Sequence, residues 1–105
     1  MQLKGKSVVV TGGSDGIGRH ICLKLGAEGC TVAVLGRNQK RLDALVAETR
    51  DAGATRAMGF ACDMRDPDQI AATVAAISVD LGPVDIVINN AGIWHKAGPL
   101  DSIAP

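Results

Sequence analysis

Ser7-Val8-Val9-Val10-Thr11-Gly12-Gly13-Ser14-Asp15-Gly16-Ile17-Gly18 is the stretch that decides the fold. A β-branched apolar run ends in a glycine-rich turn, and a helix-compatible segment follows. Glycine permits the tight turn and lets the backbone approach a phosphate without a Cβ in the way. The N–H groups that open the helix, and the positive end of its dipole, then face an anion. Gly18 falls on the first helical turn, where a missing side chain allows close packing on the strand. Gly12, Ser14, Asp15, Gly16, Ile17 and Gly18 are therefore candidate contacts to a pyrophosphate. A tight strand–helix turn with no ligand is the competing explanation, and the flanking sequence decides between them.

Downstream, strand and helix signals alternate. Lys6–Thr11 reads as strand one and Gly16–Glu28 as helix one, with Ile21, Cys22 and Leu25 on one face. Thr31–Leu35 is a continuous buried-type strand. Asn38 caps a second helix over Gln39–Asp51, whose Leu42, Leu45, Val46 and Thr49 recur at the spacing of a core-facing stripe. Gly53 stops it. Thr55–Phe60 reads as strand three. Asp66, Pro67 and Gln69 form a box-like start to helix three, where Ile70, Val74, Ile77 and Leu81 share a face and Gly82-Pro83 ends the run. Val84–Asn89 reads as strand four, and Ala91–Pro105 as loop. The succession predicts an α/β, doubly wound parallel sheet with right-handed crossovers and three helices, and a dinucleotide fold of Rossmann type would order its strands 3-2-1-4. A ligand is then expected over the carboxyl ends of strands one and four, where the order reverses.

The 105 residues suffice for one small domain, taken as residues 1–105. Formal net charge is zero and the aromatics are one Phe and one Trp, so a basic stripe or stacking platform for nucleic acid is not expected. No apolar run is long enough to span a bilayer, and the N-terminus lacks a signal-peptide pattern. Cys22, Cys30 and Cys62 show no C-x-x-C spacing, which favours free thiols in a reducing cytoplasm. No cluster of His and Cys suggests a metal.

An acidic residue after strand two, about 20 positions past the glycines, would hold the adenosine ribose of NAD. Here the sequence is Val34-Leu35-Gly36-Arg37-Asn38. A guanidinium in that place can grip a 2′-phosphate through two parallel charge-assisted bonds, so NADP is expected over NAD. Ser14 offers a further hydroxyl donor. Arg37 as a solvated residue ahead of a helix is the alternative, although a cation there does not favour the helix dipole. Asp63, past strand three, can accept from the adenine amino group or can begin a turn toward Asp66. Asn89-Asn90-Ala91-Gly92 ends strand four. Small residues there let the backbone approach a ribose, while the asparagine amides can tie neighbouring loops together.

Thr11-Gly12-x-x-x-Gly16-x-Gly18, then Asp63, then Asn89-Asn90-Ala91-Gly92, resemble the short-chain dehydrogenase/reductase family over essentially the whole chain. Arg37 without the acidic residue is similar to its NADP-preferring members, whereas Asp15 stands where they often carry a base. The resemblance implies an oxidoreductase that passes hydride between NADP(H) and a small carbonyl or alcohol substrate. It assigns the pyrophosphate to Gly12–Gly18, the 2′-phosphate to Ser14 and Arg37, adenine to Asp63, and the ribose to Asn90, Ala91 and Gly92, with Asn89 bracing the sheet. The family's Tyr-x-x-x-Lys pair has no counterpart, because the sequence has no tyrosine. The chain is thus expected to be an amino-terminal cofactor part, inactive alone. A non-catalytic NADP-binding module or an inactive truncated fragment is the alternative. Strand four is expected to be an apolar edge that favours self-association, with Asp85 its only charged guard.

Overall fold

Strands and helices alternate in the computed structural model, which describes residues 3–12, 16–63 and 65–90. The strands are β1 (Ser7–Thr11), β2 (Thr31–Gly36), β3 (Arg56–Ala61) and β4 (Ile86–Asn89); the helices are α1 (Gly16–Ala27), α2 (Gln39–Ala52) and α3 (Pro67–Leu81). The strands form one parallel sheet in the order β3-β2-β1-β4, as expected of a dinucleotide fold. The expected loop over Ala91–Pro105 lies outside the described residues.

The second and third helices start where the sequence supplies a partner for free N–H groups. The Asn38 Oδ1 accepts from the Arg41 N–H at 3.0 Å. The Asp66 carboxylate accepts from the Asp68 and Gln69 N–H groups at 3.0 and 3.3 Å, and Pro67 needs no such partner. The chain leaves α2 through Gly53, whose φ of 126° disfavours a side chain, and its N–H returns to the Arg50 and Thr49 carbonyls.

Alternation along β1 and β2 builds two apolar layers. Val8, Val10, Val32 and Val34 pack with Cys22, Leu25, Leu42 and Leu45 beneath α1 and α2. Val9, Ala33 and Leu35 face the other way, with Cys62 and Ile77 under α3. Of the expected stripe on α3, only Ile77 is buried; Ile70, Val74 and Leu81 are half-buried. All three cysteines are free and buried, and burial pushes the Cys22 thiol up to about 12, so it is inert at neutral pH.

The α1 and α2 helices meet at a point the periodicity does not reveal. A Cβ on Gly26 would stand 2.7 Å from the Thr49 backbone oxygen and 3.2 Å from the Thr49 Cγ2. Thr49 can line this contact because its buried hydroxyl donates back to the Leu45 carbonyl at 2.8 Å. Nearby, Arg19 donates twice to the Glu48 carboxylate, at 3.0 and 2.8 Å, an exposed pair that adds little.

The two edges of the sheet differ. At β3, Arg50 donates to the Ala57 carbonyl at 2.9 Å and occupies a backbone acceptor. At β4, the strand begins at Ile86 rather than Val84, so Asp85 is not a guard within it. Its carboxylate instead accepts from the Ser7 N–H at 2.8 Å, and its own N–H donates to the Ser7 carbonyl at 2.9 Å. Asp85 thereby clamps the loop before β4 to the start of β1 and fixes their register.

Candidate functional site

The carboxyl ends of β1 and β4 are tied into one unit. The Thr11 hydroxyl, only 5% exposed, donates to the Asn89 Oδ1 at 2.9 Å and accepts from the Asn90 N–H at 3.2 Å. The Asn90 Nδ2 donates to the Gly12 carbonyl at 3.0 Å. The Asn89 side chain therefore ties the end of β4 to the end of β1, and the Asn90 side chain ties it to Gly12. Asn90 reaches the site through the backbone it holds, while Ala91 and Gly92 lie outside the described residues.

Gly12 leaves β1 with φ 67°, a conformation costly for other residues, and its N–H donates to the Leu35 carbonyl at 2.7 Å. Gly16 opens α1 with φ 30°, and a Cβ added there would meet nothing within 4 Å. Gly18, in the first turn of α1, is buried. Ile17 between them is 72% exposed. The first turn of α1 holds no acidic side chain to occupy its free N–H groups. Ser14 and Asp15 lie outside the described residues.

The other two candidates sit at the ends of the next strands. Arg37 directly follows β2, is exposed, and precedes the Asn38 cap, so its side chain is not part of α2. Asp63 stands two residues past β3. Its Oδ1 accepts from the Arg65 N–H at 2.9 Å and from the Arg65 Nε at 3.2 Å, and its Oδ2 accepts from the Arg65 Nη2 at 3.3 Å. Hydrogen bonding to Arg65 holds the Asp63 carboxyl below the usual carboxylate range, and the charge of Arg37 adds to this. Asp63 also begins a turn, because its carbonyl accepts from the Asp66 N–H at 3.1 Å. Arg65 carries no motif signal, since its link to Asp63 depends on turn geometry.

Gly12, Gly16–Gly18, Arg37, Asp63 and Asn90 thus follow the carboxyl ends of four adjacent parallel strands or begin the helix after one. Away from these residues, a groove of about 620 Å³ runs along the outer side of β3, lined by Arg50, Arg56, Met58, Phe60 and Asp80. It is an open trough two strands away from the glycine turn, and the chemistry converges elsewhere. Among the described residues no group of His, Cys, Asp and Glu could hold a metal, and no helix is long and apolar enough to cross a membrane.

Known proteins share this fold. The family described as short chain dehydrogenase matches residues 6–105. A short chain dehydrogenase of Pseudocercospora fijiensis is 42% identical over 99 residues, covering 94% of this chain and 31% of its own length. A crystal structure of a metagenomic short-chain oxidoreductase in complex with NADP is 38% identical with a TM-score of 0.80, and the match covers 100% of this chain and 46% of that one. The structure of an NAD+-bound xylitol dehydrogenase is 32% identical with a TM-score of 0.81, covering 89% of this chain and 35% of that one. The chain therefore spans from 31% to 46% of the length of these proteins, and its solved neighbours include both NADP and NAD complexes.

Proposed function

The chain belongs to the short chain dehydrogenase family, and from this we propose that it holds NADP(H) for hydride exchange with a small carbonyl or alcohol substrate. One observation carries the reading: Gly12, Gly16–Gly18, Arg37, Asp63 and Asn90 lie along the carboxyl rim of a parallel sheet whose strand order reverses between β1 and β4. The cofactor supplies the hydride when bound, and the protein supplies its position. Gly12, Gly16, Ile17 and Gly18, with Ser14 and Asp15, take the pyrophosphate. Arg37 and Ser14 take the 2′-phosphate, Asp63 the adenine amino group, and Asn90, Ala91 and Gly92 the ribose. NADP is preferred because a cation and no carboxylate follows β2, while the solved neighbours include NADP and NAD complexes alike.

With no tyrosine in the sequence, the chain by itself positions the cofactor without supplying the family's usual acid. A non-catalytic NADP-binding module is therefore the second reading. Titration of the purified chain with NADPH and NADH, read by thermal unfolding, tests the shared core of both. The larger stabilisation is expected with NADPH; no shift with either dinucleotide would remove the proposal. Consumption of NADPH in the presence of a carbonyl panel separates the two readings, and measurable turnover by this chain excludes the module.

We also propose that the chain self-associates through β4. Among the described residues β4 pairs only with β1, and its Val87 is 55% exposed. Sedimentation is expected to show dimers or larger species that dissociate when Val87 is changed to Lys; a monomer at high concentration contradicts this. The buried free thiols fit a reducing cytoplasm, and recovery of the protein in an oxidising extracellular fraction would count against that location.

A further inference from the structure

We propose that Arg65 is a positioning residue for the adenine end of the cofactor, holding the Asp63 carboxylate so that one oxygen stays open to an exocyclic amino group. The inference rests on the dinucleotide reading above. An ionised carboxylate offers about four acceptor directions on its two oxygens. Arg65 fills two on Oδ1, through its backbone N–H at 2.9 Å and its Nε at 3.2 Å, and one on Oδ2, through Nη2 at 3.3 Å. Among the described residues no further donor reaches Oδ2, so one direction remains.

The backbone beneath Asp63 is fixed independently. Its N–H donates to the Gln69 Oε1 at 3.0 Å, and the Gln69 Nε2 donates to the Asp66 Oδ2 at 3.4 Å. Asp66 in turn caps α3, so the carboxylate is referred to the helix frame. Arg65 approaches from solvent: its side chain is 77% exposed against 35% for Asp63. Such an exposed pair stabilises a fold very little. Its effect is to select one carboxylate orientation.

This device discriminates between purines. A carboxylate that can only accept favours the 6-amino group of adenine and opposes the 6-carbonyl of hypoxanthine. The test is titration of the 105-residue chain with NADPH and with its deaminated, hypoxanthine-containing analogue. The unmodified chain is expected to prefer the adenine form by roughly ten-fold. Arg65→Ala is expected to reduce that preference by about two- to five-fold, and Arg65→Lys, which lacks the fork that spans both oxygens, to reduce it as well. A merely structural role would weaken both ligands alike and leave their ratio unchanged. An undiminished ratio in Arg65→Ala overturns the proposal. Equal binding of the two ligands by the unmodified chain also overturns it, yet leaves dinucleotide binding standing. Failure of both to bind removes the dinucleotide reading itself.

Discussion

Replacing Gly26 with alanine is expected to destabilise the chain by about 1–3 kcal/mol, although alanine is the better helix former. The two effects have opposite signs, which makes the substitution informative. In the interior of a helix free of contacts, alanine gains about 1 kcal/mol over glycine. At Gly26 the new Cβ would stand 2.7 Å from the Thr49 backbone oxygen. That oxygen belongs to α2, so no side-chain rotation relieves the overlap. Relief requires α1 and α2 to move apart, and this loosens the layer of Cys22, Leu25, Leu42 and Leu45 over the sheet. A loss of this size corresponds to a drop in Tm of roughly 5–20 °C for a domain of this length. Thermal or denaturant unfolding measures it. An unchanged or raised Tm would show that the helices do not meet at Gly26.

The second large effect concerns the cofactor. Arg37→Ala is expected to weaken NADPH binding by roughly ten-fold or more and to leave NADH binding nearly unchanged. Arg37 lies between the end of β2 and the Asn38 cap, so removing its side chain should not disturb α2. Among the described residues its guanidinium takes part in no ion pair. A 2′-phosphate would supply that partner, with two parallel bonds of about 1.5–3 kcal/mol each at most. NADH carries a hydroxyl in that place and forfeits little. Isothermal titration with both nucleotides decides the matter; equal losses for the two would sink the 2′-phosphate role.

Most of the architecture was legible because its signals are local. The β-branched run before Gly12, the cap at Asn38 and the Asp66-Pro67 start of α3 each act within a few residues, and the structure places elements there. Element ends moved by one or two residues where no strong signal stands, as at β3 and at the start of β4. What could not be read depends on approach between distant segments. Gly26 looks like an ordinary interior glycine until α2 is laid against it. Asp85 reads as a charge on a strand, yet its carboxylate is held by the Ser7 N–H, 78 residues away. Asn90 reads as a ribose neighbour, while its amide is committed to the Gly12 carbonyl. Arg65 was missed for a different reason: a side chain folding back two residues in a turn leaves no periodic trace.

The charges of the site set a pH expectation that follows from Asp63. Its carboxyl is held low by Arg65 and Arg37 in the folded chain, so whatever ionised Asp63 contributes is present at neutral pH and is lost only as acid titrates it below the usual carboxylate range. Cofactor binding should therefore be insensitive to pH across the neutral range on account of this residue.

A dinucleotide bound as proposed lies over the carboxyl ends of β1 and β4. Amide chemical shifts of the labelled chain during NADPH titration test it most directly. Saturable shifts are predicted at Gly12, Gly16, Ile17, Gly18, Asp63 and Asn90, with Arg56 and Asp80 beside the β3 groove unaffected. Shifts centred on that groove, or none at all, would contradict the account.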